Sequence, residues 1–126
     1  MKIVILDDSP IGLIINSYIL EEAYPRDSIQ SFEEVSDMIE YLESTEERMI
    51  VLLDYYLPET TGISVYKSLT KKAKANKAFA LFSIGIPTQL SEECKAIGIL
   101  DCIDKSLHKS EIIKRVAALK DAPSIF

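Results

Sequence analysis

The sequence predicts an α/β fold: a doubly wound, five-stranded parallel sheet of strand order 2-1-3-4-5, with helices on both faces. Three observations carry this. Short apolar runs rich in β-branched residues alternate with segments of helical spacing along the chain. The run at residues 49–53 is apolar throughout, as a strand buried on both faces requires. Two of the runs, at residues 2–6 and 49–53, pass directly into aspartate, and in sheets of this kind ligands bind outside the carboxyl ends of the strands, where the strand order reverses.

Taken in order, residues 2–6 form the first strand and deliver Asp7 and Asp8. Ser9 suits an N-cap and Pro10 the first helical position, and apolar residues at 11, 14, 15, 18 and 19 mark one face of the helix that follows. Residues 28–32, half polar, read as an outer strand. Ser31 and Glu34 have capping-box spacing before a second helix whose inner face is Val35, Met38, Ile39 and Leu42. The most apolar strand, residues 49–53, ends at Asp54. An unpaired carboxylate is costly in an apolar interior, so Asp54 must either take a partner or emerge at the strand end into a polar crevice. Pro58 then holds Leu57 extended, and Gly62 permits a close approach or a backbone geometry denied to other residues.

Ile63, Tyr66, Leu69 and Ala73 mark a single third helix, closed by Lys71, Lys72, Lys74 and Lys77, cations that suit the negative end of a helix dipole. Residues 78–82 form the fourth strand, ending at Ser83. A short helix capped by Thr88 or Ser91 and stopped by Gly98 leads to a weaker fifth strand, residues 100–104, which delivers Lys105. Ile112, Ile113, Val116 and Leu119 face inward on a fifth helix that begins near Ser106 or Ser110. One domain over residues 1–120 is expected, with residues 121–126 as a short tail.

Composition narrows the function. A net charge of −6 argues against nucleic-acid binding by this domain, which would need Lys and Arg to neutralise phosphates. Two cysteines, Cys94 and Cys102, and one histidine make neither a disulfide framework nor a zinc set, so reduced thiols in the cytoplasm are expected. The apolar run at the N-terminus is too short for a signal peptide or a membrane span. His108 is given no role.

The topology brings Asp7, Asp8, Asp54, Ser83 and Lys105 to one crevice. Three carboxylates together repel one another unless a cation sits among them. Mg²⁺ prefers oxygen ligands and is usually held by one or two carboxylates plus phosphate oxygens. Lys105 adds a mobile positive charge for a phosphoryl oxygen and Ser83 a hydroxyl donor. A carboxylate in such a site can act as the nucleophile that takes up a phosphoryl group.

With these residues in place, the chain resembles the receiver domain of two-component response regulators, a stand-alone, chemotaxis-receiver-like form with the flavodoxin-like fold. The resemblance covers nearly the whole length and rests on Asp7 and Asp8, on Asp54 with Pro58 and Gly62, on Ser83 and on Lys105. It implies that Asp54 accepts phosphate from a sensor histidine kinase or phosphotransfer protein. It further implies that Asp8, Asp54 and the backbone carbonyl of Tyr56 bind Mg²⁺, with Asp7 acting mainly through water. Ser83 would be the hydroxyl that moves to the phosphoryl group and Lys105 its ion-pair partner. Signalling to a downstream protein would follow, with homodimerisation on phosphorylation left open and no membrane involved.

Four residues depart from the family pattern. Cys102 stands where an aromatic residue is usual, Ser106 where proline follows the lysine, Ile84 where a small residue follows the hydroxyl, and Tyr56 is bulky beside the acceptor. The Lys105–Ser106 bond is therefore expected to be trans, because a cis bond before a residue other than proline costs about 2.5–4 kcal/mol. Tyr56 and Ile84 are expected to crowd the mouth of the site. Two other readings compete: an adaptor of the same fold that is not phosphorylated, and a Mg²⁺-dependent phosphatase with an aspartyl nucleophile. The phosphatase would want a second acid two residues after Asp54, where Tyr56 stands.

Overall fold

Strands β1 (Lys2–Leu6), β2 (Ile29–Phe32), β3 (Met49–Leu53), β6 (Lys77–Ser83) and β7 (Ile99–Asp104) form one sheet in a computed structural model that describes residues 1–121. Their order is β2-β1-β3-β6-β7, every neighbouring pair is parallel, and β3 is central. This is the expected 2-1-3-4-5 order. A two-residue hairpin, β4 (Tyr56–Leu57) against β5 (Thr60–Thr61), follows Asp54 and accounts for the extra strand numbers. The expected tail lies, apart from Asp121, outside the described residues.

Alternation along each strand splits the interior into two layers. Val4, Leu6, Val51, Leu53, Phe79 and Leu81 pack on one face with Met38 and Leu42 of α2 (Val35–Glu43), Tyr66 of α3 (Gly62–Ser68) and Cys94 of α5 (Leu90–Ile97). Ile3, Ile5, Ile50, Leu52, Ala80 and Phe82 pack on the other with Leu20 of α1 (Pro10–Leu20) and Ile112, Val116 and Leu119 of α6 (Lys109–Lys120). All five residues of β3 are buried, as its uninterrupted apolar sequence requires.

Several local expectations are corrected. The third helix is two: Leu69 is extended at ψ 141°, and the Thr70 side chain accepts from Ala73 N to start α4 (Lys71–Lys74). Ile63, Tyr66, Leu69 and Ala73 are all buried as expected, but a threonine able to cap locally outcompetes helix continuation. Lys77 does not close a helix. It is buried at the start of β6, its Nζ donating to the carbonyls of Thr45 and Ala75. The Ser31–Glu34 capping box does not form, because Ser31 is committed to β2 and Glu34 caps α2 without a side-chain bond. α5 begins after Gln89 rather than at Thr88 or Ser91. α6 is capped by His108, whose side chain accepts from Ser110 N.

The face of α1 is also corrected. Ser9 caps it and Pro10 is its first residue, as expected. Its sequence is apolar nearly all round, however, and the inward side is the one carrying Leu13, Asn16 and Leu20. Ile11, Ile14, Ile15 and Tyr18 are exposed, at 50–70% of their full surface.

Candidate functional site

Each site residue is placed by the end of a strand. Asp7 follows β1, with its N–H donating to Phe32 O, and Asp54 follows β3, with its N–H donating to Leu6 O. Ser83 is the last residue of β6, and its carbonyl accepts the N–H of Lys105 just beyond β7. The five candidates thus come together at the carboxyl edge of the sheet, where the strand order reverses between β1 and β3. A cavity of about 330 Å³ opens there, lined by Asp7, Asp54, Ser83 and Lys105 with Ser9, Gly12, Ile15, Asn16, Tyr56 and Ile84. Asp8 is exposed and lines an adjoining cavity, yet its carboxylate, with those of Asp7 and Asp54, offers oxygens that all lie within 4.8 Å of one another.

Asp54 is buried and engaged through one oxygen. Ser83 Oγ donates to Oδ1 at 2.6 Å, and the Tyr56 N–H donates to the same atom at 3.2 Å. Its Oδ2 has no hydrogen-bond partner among the described residues. Burial, with the nearby charge of Asp7, pushes its carboxyl above the ordinary aspartate value, outweighing Ser83, Lys105 and the Tyr56 N–H. Gly62 explains the tight loop. A Cβ there would sit 2.5 Å from Asp54 O, so only glycine lets α3 start so close to the strand end.

Asp7 is the opposite case. Burial works against its charge, but Lys105, Ser9 N and Asn16 together hold its carboxyl below the ordinary value. Lys105 Nζ donates to Oδ2 at 2.7 Å, Asn16 Nδ2 to the same oxygen at 3.2 Å and Ser9 N to Oδ1 at 2.9 Å. Lys105 therefore points into the acidic crevice as expected, over the Phe82 ring, and its peptide bond to Ser106 is trans. Tyr56 and Ile84 flank the opening, and the Tyr56 hydroxyl donates to Gly85 O at 3.0 Å across it.

Two site residues were missed by sequence reasoning. Gly12 lies so close to Asp7 that a Cβ would be 2.4 Å from Oδ2. Asn16 is fully buried. The available signals were a glycine in the first turns of a helix and a lone amide in an apolar helix, neither of which names a partner.

Three carboxylates held this close fit a hard divalent cation by donor type, and the upward push on Asp54 is the strain such a cation would relieve. Cys94 and Cys102 are free thiols, and no helix among the described residues is long and apolar enough to cross a membrane.

Solved structures share the fold. The receiver domain of RcsB from Salmonella enterica serovar Typhimurium, studied with the phosphomimetic BeF3⁻, is 19% identical with a TM-score of 0.77, covering 99% of this chain and 91% of that one. The response regulator domain of Thermotoga maritima CheB is 15% identical with a TM-score of 0.76, covering 98% of each chain. Vibrio cholerae chemotaxis protein CheY4 is 15% identical with a TM-score of 0.72, covering 94% of this chain and 97% of that one. No curated protein matches by sequence. The family model of the response regulator receiver domain matches residues 3–117, a span that holds every residue of the crevice, and the chain belongs to that family.

Proposed function

We propose that Asp54 accepts a phosphoryl group, in a Mg²⁺-dependent reaction, from a phosphohistidine on a sensor histidine kinase or phosphotransfer protein, and that the phosphorylated chain signals through protein contacts. The observation that carries this reading is the Asp54 carboxylate. One oxygen is fixed by Ser83 and Tyr56 N, the other has no hydrogen-bond partner among the described residues, and the residue lines an open cavity.

The step is a transfer between two nucleophiles. A bond forms between Asp54 Oδ2 and phosphorus, the bond from the donor imidazole to phosphorus breaks, and the imidazole keeps the electron pair. Asp7, Asp8 and Asp54, with the Tyr56 carbonyl, would hold Mg²⁺, which when bound supplies positive charge to the transferring phosphoryl oxygens. Ser83 Oγ, already 2.6 Å from Asp54, is in reach to donate to the group once it is attached. Lys105, on a flexible stem beside Asp54, is the cation able to turn from Asp7 toward it.

A protein partner is supported by the rim. Ile15, Tyr56 and Ile84 are exposed and line the cavity that holds Asp54, and Ile11, Ile14 and Tyr18 are exposed on the same helix as Ile15. An apolar surface continuous with a site is a docking signature. The chain modifies itself and turns over no other substrate in this reading, and its free thiols suit a cytoplasmic location.

Incubation with acetyl phosphate, read by intact mass with and without Mg²⁺, tests the reading. One phosphoryl group should be gained only with Mg²⁺, and Asp54→Asn should gain none. Undiminished labelling of Asp54→Asn would sink the assignment. Failure of the wild type to label under any condition would favour an adaptor that is never phosphorylated.

A further inference from the structure

Asn16 is a fully buried amide on the inward side of α1, where Leu13 and Leu20 are apolar. Its Nδ2 donates to Asp7 Oδ2, the oxygen that also takes the Lys105 ammonium. Its Oδ1 is buried with no partner, the one such side-chain atom among the described residues. The amide cannot be turned over to cure this, because its oxygen would then face a carboxylate. Leucine would fill the position without leaving a polar atom unpaired, so the amide is costly here unless something supplies a donor.

The surroundings say what that donor is. Asn16 lines the cavity with Asp7, Asp54 and Lys105, one hydrogen bond from the clustered carboxylates. A phosphoryl group brings acceptors at neutral pH, which do nothing for an unpaired oxygen. The Lys105 ammonium is already on Asp7. Water bound to a divalent cation is a strengthened donor, and Mg²⁺ keeps several such waters. Groups that orient a metal-binding carboxylate from behind also govern affinity for the ion.

We propose that Asn16 is a positioning residue of the acidic cation site: Nδ2 fixes the Asp7 carboxylate, and Oδ1 accepts a hydrogen bond from a water carried by the bound divalent cation. The inference rests on the Mg²⁺ reading above and adds a residue to it. It also gives Asp7 a fixed partner when Lys105 turns away.

The test compares the wild type with Asn16→Val and Asn16→Thr, a pair matched in shape that differ in a hydroxyl able to donate to Asp7 and accept from water. Isothermal titration with MgCl₂ gives the affinity, and thermal unfolding in EDTA shows whether each variant folds. Asn16→Val should bind Mg²⁺ about tenfold more weakly, while keeping a midpoint in EDTA close to or above that of the wild type. Asn16→Thr should recover part of the loss. Equal affinity in all three proteins overturns the inference alone, and equal weakening of Val and Thr overturns it in favour of packing. Loss of folding in both variants likewise assigns Asn16 to packing. A wild type that binds no Mg²⁺ ends the cation reading and this inference together.

Discussion

Lys105 pairs with Asp7, not with Asp54: its Nζ lies 2.7 Å from Asp7 Oδ2. The pairing sorts the two buried carboxylates into opposite classes. Asp7 is held below the ordinary aspartate value of 3.8, while burial first, then the charge of Asp7, raises Asp54 above it.

The sign of the pH dependence follows. Between 3.8 and the raised value of Asp54, the folded state holds a proton that the unfolded state has released, so stability falls as pH rises through that window. Asp7 acts below 3.8, where stability is lost as pH falls through its depressed value. Without divalent cations, urea unfolding of the wild type should therefore show its stability rising as pH drops from 7 into the acidic range and falling again below it. Asp54→Asn should flatten the upper limb and be the more stable protein at pH 7. A wild type whose stability rises steadily from pH 4 to 7 would contradict the assignment to Asp54.

Gly12→Ala sets helix propensity against the site. Alanine in place of glycine inside a helix is worth about 1 kcal/mol of stabilisation. The added Cβ would stand 2.4 Å from Asp7 Oδ2, which Lys105 and Asn16 hold in place. We expect little or no gain in Tm and a loss of at least about tenfold in the rate of Mg²⁺-dependent labelling, as outer-shell disturbance of a metal site typically produces. Labelling at the wild-type rate would show that Asp7 moves aside freely.

Tyr56 and Ile84 should lengthen the life of the phosphorylated form by restricting the water that hydrolyses it. The Tyr56 hydroxyl donates to Gly85 O, next in the chain to Ile84, and both Tyr56 and Ile84 line the cavity. Loss of phosphate followed by intact mass should be several-fold faster in Tyr56→Ala and Ile84→Ala. Equal decay in all three proteins would show that crowding is irrelevant.

Cys94 should be inert in the folded protein. It is fully buried, and burial with the neighbouring Cys102 thiol pushes it up to about 12. Burial also raises Cys102, which is only part buried. Iodoacetamide at pH 8 should leave Cys94 unmodified and label Cys102 slowly, whereas both should react in guanidinium chloride. Rapid double alkylation of the native protein would show that α5 opens readily from β7.

Much of this protein was determined by sequence alone, because the controlling signals are local. Apolar runs ending in Asp7, Asp54 and Ser83 specify doubly buried strands with polar ends, and parallel connectivity then leaves few places for those ends to go. The candidate residues were legible for that reason, as were the Ser9 cap and the inward-pointing Lys105. Tertiary structure decided whatever depended on choosing between equivalent local options. α1 is apolar nearly all round, so periodicity could not say that Asn16 faces the core and Ile14 the solvent. Thr70 suits both a helix interior and a cap, and in the fold it caps a second short helix whose Ala73 is buried. Nothing in sequence spacing pairs Lys105 with Asp7 or brings Gly12 against it, because both depend on how β1, α1 and β7 close around one cavity.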